Sequence, residues 1–82
     1  MFSLEGNTLY YLEDNVKCGY LNFEIENNTL DILSTVVDEK YRGKGIASKL
    51  TEYIYNYTVE NGLNIKCTCS YAKEWFNKRN KK

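Results

Sequence analysis

Tyr41-Arg42-Gly43-Lys44-Gly45-Ile46-Ala47-Ser48-Lys49-Leu50 is a basic, glycine-rich turn that runs straight into the one long amphipathic helix the chain offers. A helix opening leaves backbone N–H groups unpaired and pointing outward, and two glycines let a bulky anion approach them. Arg42, Lys44 and Lys49 surround that opening with positive charge, so the segment suits a ligand with several negative charges, as a pyrophosphate has. The plainer alternative is a turn in which Gly43 and Gly45 meet a backbone requirement and the bases face water. Two familiar phosphate loops do not fit. The Walker pattern needs a Gly-Lys-Ser/Thr triplet, which is absent, and the dinucleotide fingerprint finds Ser48 where its third glycine belongs.

Upstream of the loop the sequence reads as sheet. Thr8 to Leu12 forms a short strand, and Glu13-Asp14-Asn15 a turn. From Lys17 to Glu26, Gly19, Leu21, Phe23 and Ile25 alternate with Tyr20, Asn22, Glu24 and Glu26, the period of two that buries one sheet face. Asn27-Asn28 tolerates positive φ, so Thr29 to Val37 returns as a third strand and the three form an antiparallel meander. Leu30, Ile32 and Val36 share one face of that strand, while Leu33, Thr35 and Val37 share the other. A strand apolar on both faces belongs inside a sheet with cover on both sides. Asp38-Glu39-Lys40 then leads out to the loop.

Downstream, Ile46, Ala47, Leu50, Ile54 and Tyr57 recur at helical spacing and give one buried stripe, which Asn61-Gly62 ends. Leu63, Ile65, Cys67 and Cys69 alternate with Asn64, Lys66 and Thr68 as a fourth strand. Strand, helix and strand make a crossover, so the fourth strand runs parallel to the third. Ser70 caps a final helix with Tyr71, Trp75 and Phe76 as an aromatic stripe, and Asn77 to Lys82 is a basic end expected to fray. The predicted class is α+β: a three-strand antiparallel meander, a long helix, a fourth strand parallel to the third, and a C-terminal helix.

The 82 residues predict a single domain over residues 1–82. At this size a chain hides only roughly 60% of its surface, so the core must be dense. A hydrophobic content of 43% and eight tyrosines supply it. No apolar run approaches the ~20 residues of a membrane span, and the N-terminus has neither the basic flank nor the apolar stretch of a signal peptide; a cytoplasmic protein with no membrane partner is expected. The zero net charge conceals an asymmetry. Residues 1–39 carry eight acids against Lys17, and residues 40–82 carry ten bases against Glu52, Glu60 and Glu74. A basic half around a phosphate loop suits a polyanionic cofactor, and an acidic half attracts a cationic amine, unless the halves only balance each other within the fold. Cys18, Cys67 and Cys69 are odd in number with no export signal, which argues against a disulfide framework. Without histidine, these cysteines fall short of a zinc ligand set, and no metal is expected.

Three segments carry a family resemblance. Arg42-Gly43-Lys44-Gly45-Ile46-Ala47 resembles the Arg/Gln-x-x-Gly-x-Gly/Ala pyrophosphate loop of the GNAT N-acetyltransferases. Ser34-Thr35-Val36-Val37 resembles the His-Thr-x-Val strand of that family's small single-domain branch, and Cys69-Ser70-Tyr71 resembles its Cys-x-Tyr segment. The resemblance covers nearly the whole chain and implies acetyl-coenzyme A as cofactor. It implies that the backbone of Val36 and Val37 binds the pantetheine arm in an opening between the third and last strands. Arg42, Gly43, Lys44, Gly45, Ile46 and Ala47 would hold the pyrophosphate, and the thioester would end beside Cys69, with Cys69 and Tyr71 as candidate catalytic residues. Two departures matter. Ser34 replaces the histidine, and Val36 cannot serve as the strand carboxylate that many GNAT enzymes use as base. Nor does anything match the N-terminal helices that shape the acceptor pocket of larger members, so the acceptor site is open or completed by a partner.

The function implied is acetyl transfer to a primary amine, on a small molecule or a protein lysine, with proximity supplying much of the rate. The alternative is a module that binds acyl-coenzyme A with little or no catalysis. Cys69, just before a helix start where unpaired N–H groups favour negative charge, is a general acid, a nucleophile or a small core residue. No nucleic-acid partner is expected, because the aromatics fall at core spacing instead of between bases on an open sheet face.

Overall fold

The computed structural model describes residues 1–80. Five strands form one sheet in sequence order: β1 (Phe2–Glu5), β2 (Thr8–Glu13), β3 (Val16–Glu26), β4 (Thr29–Val37) and β5 (Asn64–Cys67). The first four pair antiparallel, and β5 runs parallel to β4 as the crossover requires. Turn chemistry sets the hairpins: Asp14 and Asn15 (φ 50° and 66°) and Asn27 and Asn28 (φ 52° and 63°) adopt the left-handed backbone that these residue types reach at least cost. Helix α1 (Ile46–Glu60) lies across β2, β3 and β4, and α2 (Ser70–Asn80) packs beside it against β4 and β5. No described helix is long and apolar enough to cross a membrane.

The meander has four strands, not three. In β1 only Phe2 and Leu4 alternate over four residues, too short a pattern to stand out. Its stability is tertiary: the Phe2 ring lies 5.3 Å from that of Tyr11 and 4.7 Å from that of Tyr53 on α1. The last strand is shorter than its alternation suggests, ending at Cys67 and leaving Cys69 in the turn that follows. The Cys69 carbonyl accepts from the Lys73 N–H (3.1 Å), so Cys69 and not Ser70 stands at the opening of α2. The basic segment expected to fray is helical through Asn80, while Lys81 and Lys82 lie outside the described residues.

Leu9, Leu21, Leu30 and Ile32 from the sheet meet Ile46, Leu50 and Ile54 from α1 and Ala72 from α2 in one buried core. Of the aromatic stripe on α2, Trp75 and Phe76 pack around Tyr55 of α1, whereas Tyr71 is 38% exposed. Thr51 and Thr58 are also buried on α1, and their hydroxyls donate to the carbonyls of Ala47 (2.9 Å) and Tyr55 (2.6 Å), which lets a polar residue sit in the apolar stripe.

Strand β4 is not covered on both sides. Asn22 pairs with Ser34 but Phe23 pairs with Ile32, so Leu33 has no opposite residue. This bulge advances the alternation by one position. Leu30, Ile32, Thr35 and Val37 consequently face the helices, while Ser34 and Val36 share the outer face with Tyr20 and Asn22, and Leu33 and Val36 are exposed. That outer face carries a polar ladder instead of a second core: Thr8 Oγ1 donates to Asn22 Oδ1 (2.9 Å), and Asn22 Nδ2 donates to Ser34 Oγ (3.1 Å).

Gly19 on β3 is packed tightly against both β4 and α1. A Cβ there would stand 2.9 Å from the Val36 carbonyl oxygen and 3.3 Å from Ile46 Cγ2, both held in packed elements. Gly19→Ala is expected to destabilise the fold by about 1–3 kcal/mol, the usual cost of overpacking, and to lower the urea midpoint. An unchanged midpoint would mean that the β3, β4 and α1 contact yields freely.

Candidate functional site

The sheet divides at Ile32. Strand pairing between β4 and β5 runs from Thr29 and Asn64 to Ile32 and Cys67 and stops, whereas β3 continues to pair with β4 as far as Val37. The Ile32 carbonyl accepts from both the Thr68 N–H (3.0 Å) and the Cys69 N–H (2.9 Å), which turns the chain away. The Asp31 carboxylate fixes the same corner, accepting from the Thr68 N–H (3.0 Å) and hydroxyl (2.9 Å). From Leu33 to Val37, β4 therefore has a strand neighbour on one side only. Extended backbone in that state is a template for another chain of amides.

Beyond Val37 the chain makes a single 3-10 turn, Glu39–Tyr41, held by Asp38, whose carboxylate accepts from the Lys40 N–H (3.0 Å). Gly43 (φ 85°) and Gly45 (φ 77°) then take left-handed conformations that aim the loop into α1, and a Cβ at either would meet nothing within 4 Å. The first bond of the helix joins the Lys49 N–H to the Gly45 carbonyl (3.0 Å). Among the described residues, the N–H groups from Gly43 through Ser48 have no hydrogen-bond partner and no side chain caps them. Open space before a run of free amides at a helix start fits a diphosphate.

The free stretch of β4 and this loop border one cleft of about 500 Å³, within the ~300–1,000 Å³ common for small-molecule sites. Of the residues singled out from sequence, Val36, Val37, Arg42, Gly43, Gly45, Ile46, Ala47 and Tyr71 all line it. Lys44 does not; its ammonium stands 5.3 Å from the centre of the Tyr41 ring, and only its backbone belongs to the loop. Lys49 is likewise directed at the Tyr11 ring, at 5.3 Å. Cys69 lies at the cleft's edge, its Sγ 3.7 Å from Oγ1 of Thr35. Thr35, Tyr41 and Ser48 also line the cleft, and sequence reasoning gave them no role. Ser48 had a signal, since it follows Ile46 and Ala47 in the first turn of α1. Trp75 Nε1 donates to its hydroxyl (2.9 Å), tying α2 to α1.

Three groups here have shifted proton affinities, the Tyr41 phenol among them, raised above its ordinary value by desolvation and by the nearby Cys18. Burial pushes the Tyr71 phenol above its ordinary value; the Ser48 hydroxyl opposes this by hydrogen bonding, and Cys69 adds to the rise. Burial also raises the Cys67 thiol, reinforced by the Asp31 carboxylate and by Cys69.

A sheet that opens beside a helix start with free amides defines the class. A family model described as GCN5-related N-acetyl-transferase matches residues 8–82, and the chain belongs to this family. It is similar to protein NATD1 of Xenopus tropicalis, with 31% identity over 51 residues, which make up 62% of this chain and 47% of that protein. The match thus spans about half the length of this curated relative. Among solved structures, a GCN5-like protein from Staphylococcus aureus superimposes with a TM-score of 0.77 at 25% identity, over 98% of this chain and 80% of the other. The ribosomal-protein-S18-alanine N-acetyltransferase from Escherichia coli shares the fold with a TM-score of 0.77 at 10% identity, over 94% and 54% of the two chains. So does the PaiA N-acetyltransferase from Thermoplasma acidophilum, solved in complex with coenzyme A, with a TM-score of 0.71 at 18% identity, over 88% and 48%.

Cysteine reactivity tests the geometry of this corner. Cys18 is fully buried, and a raised pKa leaves Cys67 with less thiolate at any pH near neutrality, so Cys69 is expected to alkylate fastest and Cys18 slowest. Peptide mapping after brief iodoacetamide treatment reads the order. Faster labelling of Cys67 would place the sheet's division elsewhere.

Proposed function

We propose that the chain transfers an acetyl group from acetyl-coenzyme A to a primary amine. The observation that carries this reading is the continuity between the one-sided stretch of β4 and the free amides of the loop, both bordering one cleft. The family and the coenzyme A complex of PaiA support the choice of cofactor. When bound, acetyl-coenzyme A supplies a thioester carbonyl open to attack by an uncharged amine. Arg42 and the backbone N–H groups from Gly43 through Ser48, those of Lys44, Ile46 and Ala47 included, hold the diphosphate. The backbone of Val36 and Val37 pairs with the amides of the arm and fixes its direction. Both are positioning tasks, and positioning alone contributes several kcal/mol to such a reaction.

Thr35, Cys69 and Tyr71 stand at the far end of the cleft. The Tyr71 phenol is protonated at neutral pH as any tyrosine is, and burial only raises its proton affinity further, which suits it to hand its proton to the departing thiolate while the new C–N bond forms and the C–S bond breaks. Cys69 packs against the same end. Among the described residues no carboxylate lines the cleft, so the amine loses its proton to water and the rate climbs as pH approaches the amine's own pKa. The acceptor comes from the outer face of the sheet, which no described helix covers. Glu24, Glu26 and Asp31 outnumber Lys66 around a depression on the strands behind it, so a cationic amine, free or on a protein lysine, is the favoured class.

Calorimetric titration with acetyl-coenzyme A tests the cradle. Gly45→Val is expected to lower affinity by about tenfold or more, roughly 1.4 kcal/mol, by filling the space before the amides. Gly62→Val, at an equally left-handed position (φ 64°) beyond the far end of α1, controls for backbone strain and is expected to bind like the unaltered chain. Undiminished binding by folded Gly45→Val would displace the site.

Steady-state assays with a cationic and a neutral amine of similar size test the chemistry. Turnover of the cationic amine is expected to be faster and to lose its advantage at high salt. Tyr71→Phe is expected to reduce turnover by about a hundredfold with little change in cofactor affinity. Tight cofactor binding with no turnover of any amine would favour a binding module instead.

A further inference from the structure

Tyr71 and Trp75 stand one turn apart on α2, so their side chains leave the same face of that helix, and both reach Ser48 in the first turn of α1. Ser48 and Tyr71 line the cleft, and Trp75 borders a neighbouring depression that shares Ser48 with it. The order of the three decides where protons point. An indole N–H gives a proton and accepts none, so Ser48 is the acceptor in its 2.9 Å bond with Trp75 and keeps its own proton for another partner. Hydroxyls on a helix often return that proton to a carbonyl of the preceding turn, as Thr51 and Thr58 do on α1. Among the described residues Ser48 makes no such bond, and the Tyr71 oxygen is the partner at hand. Its contact with Tyr71 favours the ionised phenol, which is the effect of a donor.

We propose that Ser48, held by Trp75, is a positioning residue for Tyr71: it donates to the phenol oxygen, leaves the phenol proton to point into the cleft, and stabilises the phenolate once that proton is given up. The proposal rests on the acetyl-transfer reading given above. In that reaction the amine nitrogen bonds to the thioester carbon as the C–S bond breaks. The surplus proton on nitrogen goes to water, the Tyr71 proton goes to the departing sulfur, and the phenolate recovers a proton from water. An ordinary phenol, with a pKa of about 10, is a weaker acid than an alkyl thiol at about 8.5, so the transfer to sulfur runs uphill by roughly thirtyfold even before burial is counted. Burial and Cys69 widen that gap, and Ser48 is the neighbour that narrows it. A tyrosine in the same place without Ser48 would hold its proton more tightly and lack a fixed direction in which to offer it.

Kinetics of paired variants test this. Ser48→Ala keeps the backbone N–H assigned to the diphosphate, so acetyl-coenzyme A affinity by calorimetry is expected to match that of the unaltered chain while kcat falls about tenfold, the worth of a hydrogen bond to a charged group. Ser48→Thr, which restores the hydroxyl, is expected to recover most of the rate. Trp75→Phe keeps a ring against Tyr55 and Phe76 but removes the N–H, and is expected to give a smaller loss of kcat. If that change loosens the packing of α2, the Ser48 series decides without it. In a Tyr71→Phe background, Ser48→Ala is expected to cause no further loss, because the group it serves is gone; a merely structural role would slow both backgrounds alike. An unchanged kcat in Ser48→Ala, or an equal loss in both backgrounds, would overturn the proposal while leaving the transfer reading intact. No turnover of any amine by the unaltered chain would overturn the transfer reading and this proposal with it.

Discussion

A single carbonyl oxygen, that of Ile32, accepts from two successive amides, Thr68 and Cys69, and the geometry of the site depends on that double contact. A parallel strand that kept pace with β4 would carry Cys69 alongside Leu33 and Ser34 and close the sheet. The chain instead turns at Thr68, Asp31 clamps the turn, and α2 starts there. The bulge at Leu33 comes one residue after the same carbonyl, so β4 changes its facing where it loses its partner. Both events cost strand hydrogen bonds, and a small domain tolerates them because the core beneath is continuous from Leu9 through Ile32 to Leu50 and Ala72.

Main chain as well as side chains shapes the cleft that results. Its polar character comes from amides at the opening of α1 and from the free edge of β4, while Thr35, Val36, Ile46 and Ala47 give it an apolar wall. Main-chain donors keep their direction when side chains vary, which fits a sheet and helix arrangement shared with structures at 10% and 18% identity.

What sequence made legible was local. Left-handed glycines at Gly43 and Gly45, the paired asparagines of the hairpin turn and the helical spacing from Ile46 onward each report their own backbone, and the loop, that turn and α1 stand where they were read. What sequence misplaced depends on distant partners. The alternation of β4 put Val36 with Leu30 and Ile32, because nothing within Thr29 to Val37 announces that β3 will leave Leu33 unpaired. Alternation likewise carried the last strand to Cys69, since the Ile32 carbonyl that ends it is 37 residues away from Cys69 in the chain. Phe2 gave no strand signal until Tyr11 and Tyr53 supplied its surroundings. Counting bases around the loop did not say where their side chains go: those of Lys44 and Lys49 lie over tyrosine rings.

The ladder on the outer face of the sheet has a sense of direction. Thr8 gives its proton to the Asn22 oxygen, and the Asn22 nitrogen gives one to Ser34, so the side-chain dipoles line up across three strands like compass needles. A hydroxyl that already receives a proton from one neighbour must point its own somewhere else. Ser34 therefore ends the row as a donor, two residues beyond Ile32, where the sheet divides. An all-aliphatic face would offer an arriving molecule area alone; this one greets it with a proton, and favours partners that bring a lone pair to the same spot.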